Sequence, residues 1–215
     1  MPRIFLYRMM TDAGSAPNIA GDMCTLAICK PMIRRSAKIG DIIIGLRAKS
    51  GEMGSLGPHA VDSVLYVMKV TDKKTFADYD AFCGTYLSIK IPTELYPEGD
   101  CLYRADGSQR EGGHHGPHHA EQDKSGLYVL LGSGARKNFW YRKDPVGVRL
   151  PADLAAALDV ESVRRGHRVH DLTPALETQL TAWLATFPTA DSETSETKSK
   201  HRCLSSSAIG GAGTF

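Results

Sequence analysis

The chain has 215 residues, of which 42% are hydrophobic and 23% charged, and a formal net charge of +2. These values are ordinary for a globular protein and allow one domain with a proper core. No apolar run approaches the ~20 residues that a membrane-spanning helix needs.

In chain order, "RIFLYRM" alternates and is rich in β-formers, which predicts a first strand at residues 3–9. "TDAGSAPNIAGD" is turn chemistry and predicts a loop, and "CTLAIC" reads as a buried strand. Pro31 suits the first turn of a short helix over 31–38, with Met32, Ile33 and Ala37 inward. "IIIGLR" is a continuous apolar run, as in a fully buried strand, and "SVLYVMKVT" is the strand expected to pair with it. Between them, residues 48–60 form a Gly/Ser-rich loop. "TFADYDAFC" predicts a helix with Thr75 and Asp78 as a capping box and Phe76, Tyr79 and Phe82 inward. Residues 92–125 read as polar loop, broken by "CLYR", and "LYVLLG" and "NFWYR" as two strands joined by "SGAR".

From Pro151 the period changes. "PADLAAALDVESVRR" reads as a helix carrying Leu154, Leu158 and Val163 on one side. "TPALETQLTAWLATF" reads as another, with Thr173 as cap, Pro174 at its first position and one apolar face of Leu176, Leu180, Trp183, Leu184 and Phe187. Short strands that do not alternate with crossover helices predict an α+β fold built on an antiparallel or mixed β-barrel, with the C-terminal helices packed outside. The expected organisation is a barrel domain at 1–150, a helical extension of it at 151–188 and a disordered tail at 189–215, where the composition falls to Ser, Thr, Gly and charge.

Charge is segregated along the chain. Residues 1–50 hold eight Lys/Arg against three Asp, a net of +5, which leaves −3 for the remainder. Lys30, Arg34, Arg35 and Lys38 fall within nine residues, with no acid anywhere in 23–40. Arg34 and Lys38 stand at i and i+4 on the short helix and Arg35 beside them, so all three are expected on its solvent side. Lys30 sits at the entry, and Arg47 emerges where the next strand ends. Such a group is either a solvated face or a phosphate-contacting surface, and the missing acids favour phosphate.

Phe139, Trp140 and Tyr141 lie between Arg136, Lys137 and Arg142, Lys143, the composition of a stacking platform in a basic groove; on a strand, one side of this trio must face core. Asn18, after Pro17, offers a side-chain amide or simple turn chemistry. His114, His115, His118 and His119 fall in a segment broken by Gly-Gly and Gly-Pro, so we expect a polar loop and no metal site there. No P-loop, nucleophile elbow, HExxH or dinucleotide fingerprint occurs, so no cofactor is expected and a catalytic residue remains unassigned. A Cys24 or Cys29 nucleophile paired with a histidine stays open. With no secretory signal in "MPRIFLYRMM", the five cysteines fit the reduced thiols of a cytoplasmic protein.

"YRMMTDAGSAPN", "CTLAICKPMIRRSAKIGDIIIGL" and "LYVMKVTDKKTFADYDAF" resemble the prokaryotic nucleotide modification associated domain 2 family. Their layout of Gly-Asp, strand, loop and strand is similar to the wider PUA-like group that includes EVE, YTH and ASCH domains. The resemblance implies a PUA-like barrel with a pocket that receives a flipped, often modified base. The resulting expectation is a nucleic-acid or nucleotide-binding module, for DNA rather than RNA, in DNA modification or phage defence. Asn18, Lys30, Arg34, Arg35, Lys38, Arg47, Phe139, Trp140 and Tyr141 are its candidate site residues. The alternative is an enzyme of nucleotide or base modification on the same barrel.

Overall fold

Strict alternation makes the first strand two-sided. β1 (Arg3–Met9) sends Ile4 and Leu6 to one face and Phe5, Tyr7 and Met9 to the other. The computed structural model describes residues 1–48, 61–111, 120–134, 137–141, 148–164 and 166–187. After β1 come β2 (Cys24–Leu26), α1 (Pro31–Ser36), β3 (Ile42–Arg47), β4 (Val64–Lys69), β5 (Asp72–Thr75) and α2 (Phe76–Tyr86). Then follow α3 (Ala120–Lys124), β6 (Tyr128–Gly132), β7 (Phe139–Tyr141), α4 (Ala152–Ala157), β8 (His167–Asp171) and α5 (Pro174–Leu184).

The strands form two sheets. Five run in the order β7-β4-β3-β1-β8 and three in the order β2-β6-β5. The β1–β3 pair is parallel and the other pairs antiparallel. The chain crosses from the first sheet into the second at Val70–Thr71, where Val70 N–H donates to Asp41 O and Thr71 N–H to Leu131 O, both at 2.8 Å.

This α+β arrangement of two sheets with short helices corrects the expected closed barrel. Closure would need ladders between the edge strands of the two sheets, and among the described residues neither β7 nor β8 pairs with β2 or β5. Among the described residues β2 pairs only with β6 in a ladder. β8 lies in "HRVHD", a half-exposed, charged stretch without strand patterning; the helix expected over 151–165 is instead α4 followed by a 3-10 turn at Val160–Ser162. β5 was hidden in the polar run "DKKT".

Three apolar layers result. Ile4, Leu6, Ile44 and Val67 meet Leu154, Leu158, Leu180 and Trp183 on the helix side of the first sheet. Phe5, Tyr7, Ile43, Tyr66 and Met68 meet Cys24, Leu26, Ile33 and Leu130 between the sheets. Tyr79 and Cys83 of α2 cover Val129 and Leu131 on the far side of the second sheet. The two predicted caps form: Thr75 Oγ1 accepts from Asp78 N–H at 3.1 Å, and Thr173 Oγ1 from Leu176 N–H at 3.3 Å. The 189–215 tail lies outside the described residues.

Candidate functional site

Strand register builds the site. Reading across the five-stranded sheet, Tyr141 pairs with Tyr66, Tyr66 with Gly45, Gly45 with Tyr7 and Tyr7 with His167. Side chains in such a row share one face, here the face turned toward the second sheet. Gly45 is the low point. A Cβ there would lie 2.4 Å from the Tyr66 ring and 2.7 Å from Met9 Sδ, so only glycine lets Tyr7 and Tyr66 lean together over it. Their rings meet edge-on with centroids 6.2 Å apart, and the two hydroxyl oxygens are 2.9 Å apart. Farther along, the Tyr141 hydroxyl donates to Asp12 Oδ2 at 2.5 Å.

Burial, opposed by the Tyr66 hydrogen bond, pushes the Tyr7 phenol far above its ordinary value; burial first also raises Tyr66. Both therefore keep their protons at neutral pH. Two protonated phenols share only one hydrogen bond, because one donates and the other accepts. The second O–H proton has no acceptor among the described residues.

Above this pair sits Lys30, its Nζ 4.7 Å from the centroid of the Tyr7 ring. Burial lowers the Lys30 ammonium below the ordinary 10.5. Burial, followed by the charges of Lys30 and Arg168, likewise lowers His167. Lys30 gets there through an unusual backbone: Cys29 and Lys30 both take the left-handed conformation, at φ +57° and +42°. Arg34 and Asp123 hold that bend from outside. Cys29 N–H donates to Asp123 Oδ1 and Arg34 Nε donates to Cys29 O, each at 2.7 Å.

Arg34 is consequently not the solvent-facing cation that its sequence position suggests. It is fully buried, with Nη1 donating to Tyr128 O at 2.8 Å, Nη2 donating to Asp123 O, and Nη2 3.8 Å from Asp123 Oδ1. The guanidinium lies so close on Gly126 that a Cβ there would fall 2.6 Å from its carbon. The physical reason is the set of carbonyls left over around the ends of α1 and α3, which a buried fork of donors satisfies. Met32 turns out to solvent in its stead.

The other sequence candidates divide. Arg35 and Lys38 are exposed, and no ion pair engages either among the described residues. Arg47 is buried, donating from Nη1 to Ala48 O at 3.2 Å. Asn18 is fully buried and its amide is used internally: Nδ2 donates to Tyr96 Oη and Glu98 O, while Oδ1 accepts from Ala20 N–H and Lys90 Nζ. Trp140 faces the helix side, with ring centroids 6.0 Å from Trp183 and 5.0 Å from Phe187, which corrects its expected place in a stacking platform. Phe139 and Tyr141 face between the sheets, and Tyr141 belongs to the row.

The surroundings of Cys24 and Cys29 both disfavour the thiolate. Burial pushes Cys24 up to about 12 and, with Asp123 adding, raises Cys29. Among the described residues no three His, Cys, Asp or Glu are gathered for a metal; His114, His115, His118 and His119 lie outside them. The charge pattern did not reveal Tyr7, Gly45, Tyr66, Asp12 or His167. The one signal was the glycine inside an otherwise apolar strand run.

No helix of the described residues is long and apolar enough to cross a membrane. No curated protein and no solved structure matches the chain. A family model described as nucleotide modification associated domain 2 matches residues 1–199, across the strands, helices and tyrosine row just described, and the chain belongs to that family.

Proposed function

We propose that the chain is a PUA-like nucleic-acid or nucleotide-binding module that recognises a modified base in DNA, in the setting of DNA modification or phage defence. The family supplies the nucleotide-modification context. The observation that carries the reading is the Tyr141–Tyr66–Gly45–Tyr7–His167 row, with one phenolic proton unspent and Lys30 above it. Aromatic walls with a few fixed polar groups are what an extruded base requires. Asp12 adds an acceptor at the Tyr141 end of the row. In this reading Arg35 and Lys38, exposed on and just beyond α1, contact phosphates while Lys30 meets the base.

The alternative, an enzyme of nucleotide or base modification, draws on one observation: burial favours the neutral amine of Lys30 more than solvent would. The two readings separate on whether the base leaves changed.

The test is fluorescence anisotropy with modified and unmodified oligonucleotides over a salt series. Joint replacement of Arg35 and Lys38 by Ala should weaken every sequence alike and flatten the log–log salt slope by roughly one to two. Lys30→Met should remove discrimination between modified and unmodified bases with the slope nearly intact. Wild-type protein without salt-dependent binding to any oligonucleotide overturns the reading. A change in base mass after incubation selects the enzyme.

A further inference from the structure

The Tyr7 end of the row is rich in hydrogen-bond donors. Lys30 brings an ammonium whose contact within the protein is the face of the Tyr7 ring; no ion pair engages it among the described residues. The Tyr7–Tyr66 pair, both rings fully buried, brings one O–H proton without an acceptor among the described residues. The carboxylate at the other end, Asp12, already accepts from the Tyr141 hydroxyl at 2.5 Å and from Gly14 N–H at 3.4 Å.

This imbalance is maintained by the fold. Two consecutive non-glycine residues, Cys29 and Lys30, are held left-handed so that the lysine turns inward. The Arg34–Asp123 clamp that holds them is itself satisfied by backbone groups. A half-buried cation left unpaired beside a spare donor is unfavourable alone and is relieved by an anion that accepts from both.

We propose that this niche takes an oxyanion carried on the base, so that the preferred ligand is a nucleobase bearing an acidic substituent such as a carboxylate. The proposal rests on the base-binding reading and narrows it. A substituent that only donates, such as an added amine, would face donors and a cation and be rejected. A neutral methyl group leaves the ammonium and the spare proton as they were. The same oxyanion chemistry could come from a nucleotide phosphate, and the ligands below separate the two sources.

The experiment is isothermal titration of the full chain with 2′-deoxycytidine, its 5-methyl and 5-carboxy derivatives, and 2′-deoxycytidine 5′-monophosphate at one ionic strength. Lys30→Met is titrated in parallel, and thermal melts establish that it is folded. The 5-carboxy nucleoside should bind at least tenfold more tightly than the 5-methyl one. Lys30→Met should erase that gain, so that the variant binds the 5-carboxy and 5-methyl nucleosides with affinities within twofold of each other. Equal affinity for the carboxy and methyl nucleosides, or a gain that survives in Lys30→Met, overturns the proposal while base binding stands. A gain for the monophosphate and none for the 5-carboxy nucleoside overturns the placement of the anion on the base. If no nucleoside or nucleotide binds, the base-binding reading falls and takes the proposal with it.

Discussion

Lys90 and Lys30 are both withdrawn from solvent, and their surroundings are opposite. Lys90 is fully buried and donates to Asn18 O, Asn18 Oδ1, Met23 O and Thr25 Oγ1 at 2.7–2.9 Å. Thr25 in turn donates to Asp100 Oδ2 at 2.5 Å, and Tyr79 to Asp100 Oδ1 at 2.7 Å. Every ammonium proton is in use, and the network ties the loop before β2 to the 3-10 turn Ser88–Lys90 and to α2. Lys30 is half-buried and rests on one aromatic face, and among the described residues no hydrogen bond or ion pair takes its protons. A buried polar group that is saturated serves stability, whereas one held unsaturated by a strained backbone is available to a ligand.

The sharpest way to break this comparison is Lys90→Met. Removing the ammonium strands the Asn18 and Met23 acceptors and leaves Asp100 without its nearby cation, which should cost about 3–5 kcal/mol. A melting point lowered by roughly 10 °C is expected for a chain of this size, and a shift of under 2 °C would show the network to be dispensable. Arg34→Ala comes next. It leaves the carbonyls of Cys29, Tyr128 and Asp123 without a donor and opens space over Gly126, at about 3 kcal/mol. Denaturant unfolding should show it, and a surface arginine would show almost nothing.

The smallest effect belongs to Lys30→Met. Methionine keeps the apolar stem over Tyr7 and removes a desolvated charge, so stability should change by no more than about 0.5 kcal/mol, in either direction. A loss comparable to that of Lys90→Met would place Lys30 among the structural groups and remove the contrast.

Local pattern was enough for the elements that local physics controls. Alternation gave β1, apolar continuity gave β3 and β4, and hydroxyl caps with helical spacing gave α2 and α5, because period and capping act over a few residues. β8 escaped because its residues are half-exposed and charged, and only the unoccupied edge of β1 makes them a strand.

The site was legible only in part, for the same reason. The sequence shows four cations in nine residues, but a cation's role depends on which acceptors packing leaves beside it. Arg34 met orphaned carbonyls from α3 and the start of β6, about 90 residues away, and became structure; Arg35 and Lys38 met none among the described residues and stayed on the surface. Lys30 was turned inward by a left-handed bend that Asp123 secures across 94 residues. The tyrosine row is longer in reach still, joining Tyr7, Gly45, Tyr66, Tyr141 and His167 through strand register alone. Sequence thus determined that positive charge and aromatic rings are present, and where the strongly patterned strands and the two capped helices lie. Tertiary structure decided which charge is spent and which remains, since hydrogen-bond saturation is a property of neighbours in space.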